Sequence, residues 1–130
     1  MSEARSTVLD ASALLALLNS EPGAEVVAAH VGDASISAVN WSEAYGKLRT
    51  RGVDGTALAA GMSETGIVVV PFDSDDALAA GELLPLTRRA GLSLADRSCL
   101  ALAQRLGLPA VTADRAWTKL DVGVEIILIR

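Results

Sequence analysis

Short apolar runs alternate along the chain with longer segments whose apolar residues recur at helical spacing. The runs predict strands, because strands covered on both faces lack a polar side and read as continuous apolar stretches. The predicted strands are residues 7–9, 35–37, 67–70, 110–112 and 124–128.

The segments between these runs predict helices, since most of them begin at a capping residue or end at Gly or Pro. They cover residues 11–19, 24–31, 41–50, 56–64, 73–89, 93–106 and 115–120. Asn40 is expected to cap the third of these helices, and Pro85 is expected to break the fifth. The alternation predicts an α/β fold, a parallel-stranded sheet flanked by helices on both faces (α/β/α), in a single domain over residues 1–130.

The composition supports one compact core and limits the choice of partners. Hydrophobic residues make up 51% of the 130 residues and aromatic residues only 3%, so the core must consist of Ala, Val, Leu and Ile. The formal net charge is −5, whereas proteins that bind nucleic acid through overall charge are usually basic. Any contact with nucleic acid therefore needs a local basic rim or metal ions, and the acidic balance also suits a basic protein partner.

The cysteine content and the amino-terminal residues indicate a cytoplasmic protein. The one cysteine, Cys99, lies in the apolar stretch 98–102 and is expected to be a buried structural thiol. A lone cysteine offers no disulfide and suits a reducing compartment. Residues 1–6 carry charges of both signs, and no apolar run approaches the ~20 residues that span a bilayer.

Four acidic residues stand at the openings of predicted helices: Asp10, Glu43, Asp96 and Asp114. Asp10 and Asp114 follow predicted strands, and parallel strands all end at the same edge of a sheet. Carboxylates crowded at that edge repel one another unless they share a divalent cation, which can activate water. Asp33 precedes a strand instead, so we expect it in a turn at the opposite edge.

Helix capping is the alternative explanation for each of these acids. Asp10 and Asp114 suit the N-cap position, and residues 40–43 and 93–96 have the spacing of a capping box. The joint pattern favours a shared metal site, because two acids follow strands at one sheet edge and the other two occupy first turns of predicted helices that can face it. Helix amino termini at that edge would also accept phosphate oxygens. The only histidine, His30, is expected to be an ordinary residue at a helix end.

The chain resembles the PIN domain family, and within it the VapC-type toxin ribonucleases of VapBC toxin–antitoxin systems. The matching segments are residues 8–15, 41–43, 91–97, 111–117 and 123–125. They occur in the order of the family, and none of the acidic positions departs from its pattern.

The resemblance implies a metal-dependent endoribonuclease that hydrolyses RNA phosphodiester bonds with Mg²⁺ or Mn²⁺. It implies that Asp10 and Asp96 are direct metal ligands and that Asp114 is a ligand, often through water. Glu43 would hold a second ion or position the attacking water. The resemblance further implies a homodimer, neutralised by a VapB-type antitoxin whose tail inserts a basic residue into the acidic pocket.

Two hydroxyl residues, Ser12 and Thr112, resemble the residues that support the site in this family. Local capping and strand-end hydrogen bonding are the alternative for both. Trp41 and Trp117 are able to stack on bases, but in so aromatic-poor a chain we favour packing in the core or in a dimer.

Several basic residues are candidates for contact with RNA phosphates at the rim of the site. Arg97 and Arg115 each follow a proposed metal ligand, and Lys47 lies one helical turn after Glu43. Ion pairing or plain solvation is the alternative for each. Two further clusters, Arg49 with Arg51 and Arg88 with Arg89, are similarly placed to follow an RNA backbone.

Two other functions remain open at this stage. A catalytically silent PIN-fold binding module would keep the fold, but it would have no reason to keep four mutually repelling acids. A phosphatase or receiver domain would use Asp10 as a nucleophile. The sequences of such proteins have an Asp-x-Asp or paired-Asp pattern and a later Lys just after a strand. Here Asp10 is followed by Ala11 and Ser12, and neither Lys47 nor Lys119 follows a predicted strand.

Overall fold

A computed structural model describes residues 5–130, so residues 1–4 of the charged amino-terminal segment 1–6 lie outside it. Five parallel strands form one sheet in the order β3-β2-β1-β4-β5. The strands are β1 (Thr7–Leu9), β2 (Ala34–Ser37), β3 (Val68–Val70), β4 (Ala110–Thr112) and β5 (Ile126–Leu128). The first strand is therefore central, with the later strands added on both of its sides.

Helices connect the strands and cover the sheet. The α-helices are α1 (Ala11–Leu18), α2 (Ala24–Ala28), α3 (Ala38–Thr50), α4 (Gly55–Thr65), α5 (Ser74–Glu82), α6 (Leu84–Thr87) and α7 (Leu94–Leu106). Short 3-10 turns occur at Val31–Asp33, Arg88–Ala90 and Arg115–Lys119. Within residues 5–130, no helix has the length and apolar character needed to cross a bilayer.

The two faces of the sheet each have a hydrophobic core, which confirms the predicted α/β/α arrangement. Leu9 of β1 packs with helices α1 to α4, whereas its neighbour Val8 packs with α5 and α7 on the other face. This alternation follows from the period of two of a β-strand. Trp117 and Cys99 are both fully buried in the second core, so the predicted packing role of each is confirmed.

Helix α3 begins earlier than the sequence predicts. Its N-cap is Ser37, whose side chain accepts a hydrogen bond from the Val39 N–H at 3.2 Å, so the assignment of Asn40 as the cap is wrong. Both residues are good caps, and the end of β2 decides between them. No capping box forms at residues 40–43, and Glu43 lies in the second turn of α3 rather than in its first.

The predicted helix over residues 73–89 is divided, as the proline suggested. Helix α5 ends at Glu82, and Pro85 lies in the first turn of α6, where its missing N–H costs no helical hydrogen bond. Asp33 ends the 3-10 turn before β2, which confirms its expected place at the edge opposite Asp10. The predicted helix 24–31 ends at Ala28, and the last strand begins at Ile126.

We predict that Gly23→Ala lowers the free energy of unfolding more than Gly52→Ala does. Both glycines have a left-handed backbone, with φ of 95° and 86°. A Cβ on Gly23 would lie 2.6 Å from the backbone oxygen of Ile129, whereas a Cβ on Gly52 would meet open space. Urea unfolding should show a loss of about 1–2 kcal/mol for Gly52→Ala from backbone conformation alone and roughly 1–3 kcal/mol more for Gly23→Ala. Equal losses would contradict the steric argument.

Candidate active site

Asp10 lies where the order of strands in the sheet reverses direction. The chain passes from β1 to β2 on one side and later returns to β4 on the other. The Asp10 N–H donates to the Val111 carbonyl at 3.1 Å, so the residue extends the ladder between β1 and β4. Crevices at the carboxyl ends of strands at such a switch point are the usual binding sites of open α/β sheets.

The carboxylate of Asp10 is buried and held by three hydrogen bonds. Asp10 is only 4% exposed to solvent. Its Oδ1 accepts from the Ala13 N–H at 2.8 Å and from Ser12 Oγ at 2.7 Å, and its Oδ2 accepts from Thr112 Oγ1 at 2.5 Å. The bond from Ala13 is helix capping, so Asp10 is a cap and also the centre of a polar network.

Burial raises the pKa of Asp10 from 3.8 to about 6, and the negative charge of Asp96 adds to the rise, while the three hydrogen bonds oppose it. Asp96 is therefore close enough to Asp10 for its charge to affect the Asp10 pKa. Burial also raises the pKa of the Cys99 thiol, with further contributions from Asp10 and Asp96. Cys99 is thus a neutral, inert neighbour of two acids.

Asp96 lies in the first turn of α7 and belongs to a capping box. Its Oδ2 accepts from the Ser93 N–H at 3.0 Å, and its own N–H donates to Ser93 Oγ at 3.1 Å. The capping interpretation of Asp96 is therefore confirmed. It leaves the Oδ1 of this carboxylate without a hydrogen bond from any residue of the described chain.

Asn40 is a site-supporting residue that the sequence did not reveal. Its buried Nδ2 donates to the Ala95 carbonyl at 2.9 Å. That carbonyl shares a peptide group with the Asp96 N–H, which Ser93 holds from the other side. A signal was available, because Asn40 shares the buried stripe of α3 with Ala44 and Leu48 at four-residue spacing.

The loop after β4 is joined to Asp10 through the same two hydroxyl groups. Thr112 Oγ1 accepts from the Asp114 N–H at 3.0 Å, and Ser12 Oγ accepts from the Ala113 N–H at 2.9 Å. Asp114 itself caps the 3-10 turn Arg115–Lys119, with Oδ1 accepting from the Ala116 N–H at 3.0 Å. The Asp114 residue is exposed. Its backbone position is set by the hydrogen bonds that join this loop to Thr112 and Ser12.

The four predicted acids are brought together only in part. Asp10 and Asp96 interact, and Asp114 is linked to Asp10 through Thr112. Glu43 is half-buried and lies 3.9 Å from the Lys47 ammonium, a helical ion pair. Among residues 5–130, no three His, Cys, Asp or Glu side chains are arranged as a ready set of metal ligands. The four-acid metal site stays a prediction.

The residues predicted at the RNA rim have different surroundings. Arg97 Nη1 donates to the Ala80 carbonyl at 3.0 Å, so this guanidinium connects α7 to α5. Lys47 is engaged with Glu43, whereas Arg115 is exposed. Trp41 is half-buried and makes an edge-to-face contact with Tyr45, with ring centroids 5.5 Å apart, which supports a packing role.

The donor atoms of this edge fit a hard divalent cation. A carboxylate has about four acceptor sites, and Asp10 uses three of them. The Oδ1 of Asp96 and the Oδ2 of Asp114 accept no hydrogen bond within the described part of the chain. Carboxylate oxygens are the ligands that Mg²⁺ and Mn²⁺ prefer, and a cation here would relieve the repulsion between Asp10 and Asp96.

We predict that Asp10→Asn changes the pH dependence of stability in buffer with EDTA. Because the folded-state pKa of Asp10 is raised to about 6, the folded protein binds this proton more tightly than the unfolded chain does. The resulting stabilisation is complete below pH 3.8 and is lost as the pH rises through about 6. At 1.36 kcal/mol per pKa unit the full shift corresponds to about 3 kcal/mol, and wild type should lose about 2 kcal/mol of it relative to Asp10→Asn between pH 4 and pH 7.

Urea unfolding at several pH values measures this difference. Asp75→Asn is the matched control, because Asp75 is exposed and its side chain makes no hydrogen bond with the described residues. Parallel pH profiles for wild type and Asp10→Asn would contradict the prediction.

Comparison with known proteins identifies the fold. The model of the PIN domain family matches residues 7–123. Among solved structures, the chain is similar to a toxin–antitoxin complex from Klebsiella pneumoniae, with 18% identity, a TM-score of 0.76, and 96% and 98% of the two chains covered. It is similar to Mycobacterium tuberculosis VapC20, a sarcin–ricin loop cleaving toxin, with 22% identity, a TM-score of 0.73, and 92% and 99% covered.

A third similar structure is DNA-bound VapBC from Salmonella typhimurium, with 18% identity, a TM-score of 0.70, and 97% and 99% of the two chains covered. Curated protein sequences give no significant match. The structural likenesses establish the fold, and the family model covers most of the sequence. The chain therefore belongs to the PIN domain family.

Proposed function

We propose that this protein is a metal-dependent endoribonuclease, the VapC-type toxin of a toxin–antitoxin pair, which hydrolyses RNA phosphodiester bonds in the cytoplasm. The observation that carries the proposal is the buried Asp10 carboxylate, oriented by Ser12 and Thr112 beside Asp96 at the switch point of the sheet. The similarity to VapC20, which cleaves the sarcin–ricin loop, supports RNA as the substrate class.

The donor set supports Mg²⁺ or Mn²⁺ as the cofactor, with Asp10, Asp96 and Asp114 as the residues that would hold it. When bound, such an ion supplies charge neutralisation at the scissile phosphate and lowers the pKa of water. Asp10 is the fixed point of this arrangement, because its three hydrogen bonds leave its carboxylate a single orientation.

The remaining work of the site falls to residues of the chain itself. Asn40 and Ser93 hold the peptide group before Asp96, so the Asp96 side chain starts from a fixed backbone. Helices α1 and α3 begin directly after β1 and β2, so their amino termini lie at the same edge as Asp10. The partial positive charge of these termini favours the phosphate of a bound RNA. Glu43 is proposed to position the attacking water.

The proposal includes two protein partners. The first is a VapB-type antitoxin, which the similarity to VapBC and other toxin–antitoxin complexes supports. The paired negative charges of Asp10 and Asp96 would attract a basic side chain of that antitoxin. The second is another copy of this chain, in a homodimer proposed by analogy with the family.

We predict that Asp96→Asn lowers the rate of RNA cleavage in Mn²⁺ by about 10²-fold or more, as expected when a charge that acts on the reacting groups is removed. Asp76→Asn is a matched control. Asp76 accepts the Asp73 N–H at 2.9 Å in a capping box on α5, much as Asp96 accepts the Ser93 N–H at 3.0 Å on α7. It should keep wild-type activity, which separates capping from catalysis. Equal losses in both variants, or cleavage that survives EDTA, would refute this site assignment.

We also predict that Mn²⁺ stabilises the wild-type protein near pH 7.5 but stabilises Asp10→Asn and Asp96→Asn much less. A ligand that binds only the folded state stabilises it by about 2.7 kcal/mol at a concentration one hundred times its Kd. Thermal unfolding with and without Mn²⁺ measures the effect, and calorimetry gives the affinity. If the wild type binds antitoxin fully but no metal, the chain is a catalytically silent PIN-fold binding module instead.

A further inference from the structure

The basic side chains of the described chain fall into two groups. Six are engaged with protein groups, either in ion pairs or through backbone carbonyls: Arg5, Lys47, Arg49, Arg97, Arg105 and Arg130. Five make no hydrogen bond or ion pair with any described residue: Arg51, Arg88, Arg89, Arg115 and Lys119. In a chain of net charge −5, cations without an acidic partner are unexpected.

Four of these five cations belong to two short segments that border one groove. The groove has a volume of about 500 Å³ and lies between the 3-10 turns Arg88–Ala90 and Arg115–Lys119. Its lining is Leu86, Ala90, Ala116 and Leu120, with the cations Arg89 and Lys119 and one acid, Asp121. We refer to it as the basic groove.

Both walls of the basic groove continue directly into the candidate active site. The turn Arg88–Ala90 leads through Gly91 to Ser93, the residue that caps α7 and holds the Asp96 peptide. The turn Arg115–Lys119 is itself capped by Asp114. A strand of RNA with its scissile phosphate at the acids would therefore meet the groove within a few nucleotides.

We propose that the basic groove binds the backbone of a single-stranded segment of the RNA substrate next to the scissile phosphate. This inference rests on the proposed nuclease function. An acidic protein repels a polyanion overall, so substrate affinity must come from local cations. These four cations have no protein ion pair to break before they contact phosphates, and the arginine fork suits a phosphate group.

The form of the groove favours a single strand over a duplex. Its volume of about 500 Å³ is that of a small-molecule site, so it has room for single nucleotides of one strand but not for a duplex. Leu86, which lines the groove, is 65% exposed, so a nucleotide base can pack against this apolar side chain. An acidic peptide would make the same charge pairs, but nothing at the neighbouring acidic site would select it. RNA is therefore the occupant that the surroundings favour.

Binding of a labelled, unstructured RNA of about twelve nucleotides tests the proposal directly. The protein carries Asp96→Asn so that the probe stays intact, and Arg89→Gln or Lys119→Gln, which alter the two cations that line the groove, is added singly. Arg51→Gln is the matched control, because Arg51 is also exposed and makes no hydrogen bond or ion pair with any described residue. The sequence made Arg51 a candidate for RNA contact, but it follows α3 and does not line the groove, so the proposal excludes it. All four proteins should unfold at the same temperature, since no protein contact is removed.

We expect each groove variant to weaken binding by about threefold to tenfold and to reduce the slope of log affinity against log salt by about 0.7. Arg51→Gln should leave the slope unchanged. An equal effect of Arg51→Gln would mean that net charge alone matters and would overturn the proposal, as would no effect of the groove variants. The proposal would also fail if the groove variants bound RNA normally but lost affinity for a poly-glutamate peptide.

Kinetics distinguish this proposal from the proposed function on which it rests. In the active protein with Mn²⁺, the groove variants should raise KM for a long RNA and leave kcat unchanged. Cleavage with an unaltered KM would overturn the groove and leave the nuclease intact. RNA binding through these cations without any cleavage by wild type would support the groove and overturn the nuclease.

Discussion

Holding an ionised carboxylate inside the fold is the constraint on which the site depends. Burial and the nearby Asp96 oppose the charge of Asp10, and three hydrogen bonds compensate only in part, so its pKa remains near 6. Helix capping would need only the bond from the Ala13 N–H and would permit exposure to water. The two additional hydroxyl bonds and the burial go beyond what a cap requires, and they fix the orientation of the carboxylate, which suits the metal ligand proposed for Asp10.

The same hydrogen bonds connect parts of the chain that are far apart in sequence. Thr112 and Ser12 join the end of β1 to the loop after β4 and so set the position of Asp114. Asn40 joins α3 to the first turn of α7. These elements pack against the two hydrophobic cores, so the site takes its rigidity from the sheet and its helices rather than from a mobile loop.

The sequence predicted what depends on local signals and missed what depends on distant contacts. The strands β1 and β4 and the caps at Asp10 and Ser93 each have a nearby pattern of residues, and the structure has them as expected. Two residues near the start of α3, Ser37 and Asn40, are good caps. Ser37 caps the helix, and the Asn40 side chain instead donates to the Ala95 carbonyl, 55 positions away in sequence. Arg97 adjoins Asp96 in sequence, yet its guanidinium contacts α5, because helix packing decides its direction.

The placement of charge suggests how cofactor and substrate would depend on each other. Without a cation, Asp10 and Asp96 repel any phosphate that the basic groove attracts, so the two regions oppose one another. A divalent ion at the acids reverses the sign of their contribution, and the same RNA is then attracted by both regions. Linkage requires the reverse effect of equal size, so bound RNA must tighten the binding of the metal. If the acids hold a metal ion as proposed, that ion would therefore strengthen the binding of substrate as well as support its cleavage.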